Sequence, residues 1–125
     1  MRYLKFGILA LAVLMSSWVK AQSAEQSAEL TECVEPDMML LPEGSKASSD
    51  EMLAAQVAVN RYISDTKNFL SCLLANEKTI GDALTYEQKK SSITRYNLAV
   101  ARMERLVESY NKQLRTYQQS HNEAG

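Results

Sequence analysis

Two stretches of the chain repeat apolar or small residues at alternating steps of three and four. The first stripe is Met52, Ala55, Val59, Tyr62, Thr66, Phe69 and Leu73. The second stripe is Ile93, Tyr96, Val100, Met103, Val107, Tyr110, Leu114 and Tyr117. Side chains three and four positions apart lie on the same face of an α-helix, so each stretch predicts a helix with one packed face.

Polar residues mark the start of both predicted helices. Ser48 is followed by Glu51, and Thr85 is followed by Gln88. This is the spacing of a capping box, in which two side chains satisfy backbone N–H groups that the first turn of a helix leaves unpaired.

The pattern between the two stripes is interrupted at Gly81, where we expect a short turn. The helices are therefore expected over about residues 49–79 and 86–119. Two helices of similar length joined by a short turn pack side by side in opposite directions. The predicted fold is all-α, an antiparallel two-helix hairpin with coiled-coil-like contacts.

The first residues follow the pattern of a secretory signal peptide. Two basic residues precede an uncharged apolar run at residues 6–15, and Val19-Lys20-Ala21 offers small residues at the positions that signal peptidase reads. A retained membrane anchor is the alternative, but the run is shorter than the roughly 20 residues of a spanning helix. We expect a periplasmic or secreted mature protein with no membrane span after signal cleavage.

The chain therefore divides into four predicted parts. Residues 1–21 are the signal peptide, and residues 22–32 are a flexible polar tail. Residues 33–119 are the helical hairpin domain with an N-terminal arm, and residues 120–125 are a flexible C-terminus.

The segment before the first helix, residues 33–46, is called here the N-terminal arm. Two prolines and Gly44 prevent it from forming a long helix. Its apolar run, residues 38–41, is expected to fill a groove beside the helices, against side chains such as Ile63 or Leu70.

The two cysteines of the chain are Cys33 in the arm and Cys72 in the first predicted helix. An even number of cysteines in an exported protein favours a disulfide, with free thiols or a bridge between chains as alternatives. An extended arm is long enough to turn before Ser49 and run back to Cys72. We expect a Cys33–Cys72 disulfide that straps the arm to the first helix.

Charge is unevenly divided along the chain. The whole sequence has 14 basic and 15 acidic residues, and every charged residue within 1–21 is basic. The acidic mature chain is not typical of a nucleic-acid binder, and no nucleic-acid partner is expected. Acids dominate residues 22–51 and bases dominate residues 86–119. We expect these regions to complement each other, the alternative being a basic face for an anionic surface or an acidic partner.

Enzyme chemistry has little support in the sequence. The single histidine, His121, stands near the C-terminus, and the carboxylates are spread along the predicted helices. There is no glycine-rich phosphate loop, zinc-ligand spacing or serine nucleophile motif. We expect no enzymatic activity, no catalytic residues, no metal site and no cofactor.

Five residues are candidates for contacts with the arm or a partner: Tyr62, Tyr96, Asn97, Tyr110 and Asn111. The dipeptide Tyr-Asn occurs twice, fourteen residues apart, which places the two asparagines on the same side of a helix. We favour hydrogen bonds from these asparagines to the backbone of the arm, with a ligand or peptide groove as the alternative.

Several motifs of the chain resemble those of a group of small, uncharacterised exported proteins of Gram-negative bacteria. They include Cys33 with its nearby prolines, and the segments SSDEMLAAQ (48–56), NFLSCL (68–73), RYNLAV (95–100) and YNKQLRTY (110–117). The group typically has proline where Tyr86 stands in TYEQ. The resemblance implies an envelope location and a helical hairpin with a disulfide, and it implies no activity.

Two functions are compatible with these expectations. The first is a non-enzymatic structural or protein-interaction module of the cell envelope, which binds a protein partner or self-associates. Leu74, Leu98 and Leu106 lie off the stripes and are expected to be exposed, and exposed apolar residues favour a partner. The alternative is a periplasmic binder of a small hydrophobic or lipid-like ligand in the groove under the arm, with methionines as adaptable walls.

Removing the disulfide tests the strapped arm. Closing a loop of this length stabilises a fold by roughly 4 kcal/mol, a large part of the stability of a small domain. Reduction, or the substitution Cys72→Ser, is expected to lower the melting temperature measured by circular dichroism by many degrees. An unchanged melting curve would contradict the strap.

Overall fold

A computed structural model of the chain describes residues 31–124. These residues form two α-helices, α1 over Ser49–Ile80 and α2 over Tyr86–Glu123, and contain no strand. A 3₁₀ helix at Gly81–Ala83 connects them. The predicted all-helical class is confirmed. The predicted signal peptide and residues 22–30 of the predicted tail lie outside the described residues.

Both predicted capping boxes are present. The backbone N–H of Ser48 donates to Glu51 Oε2 at 2.7 Å, and the N–H of Glu51 donates to Ser48 Oγ at 3.2 Å. The bond from the Ser48 N–H lowers the pKa of Glu51 because it stabilises the carboxylate. Thr85 and Gln88 form the same pair of bonds, at 2.9 and 3.2 Å.

The two helices end differently from each other. At the end of α1, Gly81 has a φ of 57°, in the left-handed region that glycine adopts without a steric cost. No glycine or proline stands in α2, which continues to Glu123, beyond the predicted end at 119. Ser120 Oγ donates to the carbonyl of Thr116 at 2.9 Å. Residues 120–123, predicted to be flexible, are therefore helical.

Buried side chains of α1, α2 and the segment before α1 form two apolar clusters. The first contains Ala47, Met52, Ala55, Val59, Tyr62, Leu106 and Tyr110. The second contains Cys33, Phe69, Leu70, Leu73 and Ala99. Every member of the predicted α1 stripe is buried, so the alternating spacing identified the packed face of this helix.

The packed face of α2 differs from the predicted stripe. Its buried residues are Ala99, Leu106 and Tyr110, of which the stripe contains only Tyr110. The expectation that Leu106 is exposed was wrong, because its side chain is only 3% exposed. Ile93, on the stripe, is 48% exposed. The buried face of α2 is thus rotated about the helix axis relative to the predicted stripe, because α2 contacts residues of the arm as well as α1.

The predicted Cys33–Cys72 disulfide is present, with 5.6 Å between the Cα atoms. Two residues before Cys33, the carbonyl of Thr31 accepts a hydrogen bond from Asn76 Nδ2 at 2.7 Å. On the α2 side, Arg95 donates to the carbonyl of Cys33 at 3.0 Å, and Arg102 forms an ion pair with Glu35. This ion pair is one contact of the predicted kind between the acidic arm and the basic second helix.

The apolar run of the arm is only partly buried. Met39 and Leu41 pack against the first cluster, together with Ile63. Met38 is 54% exposed and Leu40 is 96% exposed, so the expectation that the whole run fills a groove was wrong. Successive side chains of an extended chain point to opposite sides, so Leu40 faces away from the cluster that its neighbours Met39 and Leu41 contact.

At Gly44 the backbone of the arm lies close to the backbone of α2. The backbone N–H of Gly44 donates to Gln113 Oε1 at 2.8 Å. A Cβ atom at this position would overlap the backbone carbonyl of Gln113 and would lie 3.0 Å from the backbone nitrogen of Tyr117. Helix backbone cannot move aside easily, so the glycine is needed here for space.

Gly44→Ala tests this approach. The added methyl group would push the arm away from α2, and we expect a loss of about 1–3 kcal/mol in the free energy of unfolding, measured by urea denaturation. The matched control is Gly81→Ala. A Cβ atom added at Gly81 would meet no other residue's atoms within 4 Å, and only the positive φ is unfavourable there. A Gly44→Ala variant as stable as the wild type would contradict this packing.

Thr66 lies along α1 between the residues of the two clusters. It is 0% exposed, and its hydroxyl oxygen has no hydrogen-bond partner within residues 31–124. A buried hydroxyl without a partner destabilises a fold, because it loses its hydrogen bonds to water on folding.

Thr66→Val replaces this hydroxyl with a methyl group of similar size. We expect the free energy of unfolding to rise by about 1 kcal/mol, measured by urea denaturation. Thr66→Ser is the control, since it keeps the hydroxyl and removes the methyl group, and it is expected to destabilise. A destabilised Thr66→Val variant would show that the hydroxyl has a partner in solution.

Candidate functional site

The three candidate tyrosines have different environments. Tyr62 is buried, and its hydroxyl donates to the sulfur of Met38 in the arm at 3.2 Å. Tyr110 is buried, and its hydroxyl lies 3.4 Å from the carbonyl oxygen of Met52, which accepts the hydrogen bond. Tyr96 is half-buried against the second cluster. Tyr62 therefore contacts the arm, and Tyr110 links the two helices within the core.

The two candidate asparagines do not bind the arm as we favoured. Asn97 and Asn111 are exposed and line grooves between α1 and α2. The backbone near and within the arm is bonded instead by Asn76, Arg95 and Gln113. Both asparagines therefore lie beside grooves between the helices, and their role stays a prediction.

The groove at Asn111 is called here the open groove. It has a volume of about 520 Å³. Its apolar lining residues are Ile63, Met103 and Val107, and its polar lining residues are Lys67, Glu104, Glu108, Asn111 and Arg115. This combination suits a ligand that offers both apolar surface and charged or amide groups.

A second, smaller groove lies nearer the connection between the helices. It has a volume of about 210 Å³ and is lined by Leu74, Glu77, Ile93, Tyr96 and Asn97. Leu74 is 53% exposed and Ile93 is 48% exposed. The prediction that Leu74 is exposed is confirmed, as is that for Leu98, which is 47% exposed.

The open groove and the arm lie on different sides of α2. Arg102, which contacts the arm, and Glu104, which lines the open groove, are two positions apart in the helix. At 3.6 residues per turn their side chains are separated by about 200° around the helix axis. One side of α2 is covered by the arm, and another side remains accessible.

The charged residues of the open groove form no ion pairs within the described part of the chain. The ion pairs of residues 31–124 are Lys46–Glu43, Arg61–Asp65 and Arg102–Glu35. Lys67, Glu104, Glu108 and Arg115 take no part in them. Their charges are therefore available to a molecule that binds the groove.

Arg95, Arg102 and Gln113 contact the arm, although none of them is among the five candidate contact residues. Arg95 also lies 5.1 Å from the ring centre of Phe69, a cation–π distance. Arg95 and Arg102 are one heptad apart, and the spacing of bases along α2 opposite the acidic arm was the signal that could have identified them.

No family model, curated protein or solved structure matches the chain. Within the described residues, no helix has the length and apolar character needed to cross a membrane. The same part of the chain has no group of three or more histidine, cysteine, aspartate or glutamate side chains placed to bind a metal ion.

Proposed function

We propose that the mature chain is an exported, non-enzymatic protein-interaction module of the bacterial cell envelope. In this proposal its fold is an antiparallel helical hairpin, with the arm strapped to α1 by the disulfide. The open groove is the surface that binds a protein partner.

The hairpin is supported by contacts at both ends of the helices. Near the start of α1, Met52 is bonded to Tyr110 in the second half of α2. Near the end of α1, Phe69 and Leu73 share a cluster with Ala99, in the first half of α2. Early residues of one helix thus meet late residues of the other, as antiparallel packing requires.

Export is supported by the signal-peptide pattern of residues 1–21 and by the disulfide. Disulfides persist in oxidising compartments such as the bacterial periplasm. The resemblance to small exported proteins of Gram-negative bacteria points to the same location.

The observation that carries the proposed function is the composition of the open groove. Apolar side chains from both helices lie beside charged side chains that have no ion-pair partner within residues 31–124. A protein helix offers apolar and charged groups at matching spacings, which is how helix-in-groove recognition operates.

The competing function, binding of a small hydrophobic or lipid-like ligand under the arm, has weaker support. Met39 and Leu41 of the arm itself pack against the first cluster there. The groove that remains between the arm and α2 is bordered by Arg102, Arg105 and Ser109 as well as by apolar residues. A ligand under the arm would have to displace packed side chains.

Site-specific photo-crosslinking in the native envelope tests the proposal. A photoreactive side chain at position 111, in the open groove, is expected to give an adduct of one discrete mass. The matched control is position 105, which borders the arm on the same helix. Val107→Asp is expected to abolish the adduct, because it places a charge on the apolar lining of the groove.

Two further measurements make this outcome interpretable. The melting curve of Val107→Asp shows whether the variant is still folded, and cell fractionation shows whether the crosslinked chain is exported. Equal labelling from positions 111 and 105, or a cytoplasmic mature chain, would contradict the proposed function.

A further inference from the structure

We propose that the open groove binds the open groove of a second copy of this chain, with the two α2 helices antiparallel. This inference deepens the proposed function by naming the partner, and it rests on that function. The groove then forms an isologous interface, in which the same surface is used by both subunits.

The residues that favour a second copy form one row on α2. Glu104, Glu108, Asn111 and Arg115 are separated by steps of four, three and four, which place them along the same side of the helix. The row is acidic at its first two positions and basic at its last. Such a row is complementary to itself when it is reversed.

One register of the two helices pairs the whole row. A two-fold axis midway between Glu108 and Asn111 places Glu104 opposite Arg115 of the partner subunit. The same axis places Glu108 opposite Asn111 of the partner subunit, whose amide can donate to the carboxylate. Each contact occurs twice in the dimer, because the axis repeats it.

Apolar contacts accompany this pairing. Met103 and Val107 line the groove from α2, and Ile63 lines it from α1. All three are only partly buried within the single chain, so a second copy would cover surface that the first leaves accessible. Parallel pairing is disfavoured, since it would place Glu104 and Glu108 against the same acids of the second copy.

Charge reversal tests the proposal on the oxidised mature protein, with sedimentation velocity as the measurement. We expect the wild type to dimerise as its concentration rises, and Glu104→Arg or Arg115→Glu to weaken the dimer by about tenfold or more, because each reversal opposes like charges twice. Arg105→Glu, which is outside the row, is the control and should leave the dimer unchanged.

Mixing the two single variants is the most specific part of the experiment. In a mixed dimer both reversed charges face opposite charges, so the mixture is expected to regain dimers of nearly wild-type strength. A partner other than a second copy of this chain would not produce this rescue. The melting temperatures of both variants, measured in dilute solution, verify that the fold is intact.

The possible outcomes separate the two proposals. A wild type that stays monomeric up to about millimolar concentration, or a mixture as weak as its components, would overturn the second-copy interface. If an adduct to a different protein still forms from position 111, the proposed interaction function remains and only the identity of the partner is wrong. If the adduct is also absent, both proposals fail.

Discussion

The Cys33–Cys72 disulfide is the covalent constraint that joins the arm to α1. It holds one end of the arm at α1, while Gly44 holds the other end against the backbone of α2. In the proposed hairpin, two helices that touch along one stripe leave a groove on each side, and the arm covers one of them. In the proposed hairpin, the arm that the disulfide and Gly44 hold in place leaves the open groove accessible.

Coverage by the arm also explains the burial pattern of α2. Leu106 and Ala99 are almost fully buried although neither belongs to the predicted stripe. Met103 and Val107, which do belong to it, are only partly buried and line the open groove. Part of the predicted stripe of α2 therefore lies outside the reach of the arm and lines the open groove, the surface proposed to bind a partner.

Much of the fold was predictable because local chemistry determines it. The capping boxes at Ser48 and Thr85 depend on residues three positions apart, and the α1 stripe depends on the helical repeat. The rotation of the α2 face was not predictable in this way. It depends on Met39 and Leu41 of the arm, and a spacing rule for two helices does not include a third packed element.

The candidate site was predictable only in part, for a related reason. The repeat of Tyr-Asn correctly placed Asn97 and Asn111 on a common side of α2, because fourteen residues are two heptads. Which side the arm covers could not be determined from that spacing. The bonds made by Arg95 and Gln113 depend on the path of the arm, which Cys33, the two prolines and the glycine at position 44 restrict without determining it.

The contact between the arm and α2 can be measured directly by nuclear magnetic resonance. Met39 and Leu106 both border the groove between these elements. In the oxidised protein we predict nuclear Overhauser effects between the methyl groups of these two side chains, and we predict that they weaken or disappear when the disulfide is reduced. An oxidised protein without these effects, or one in which they are unchanged after reduction, would contradict the account.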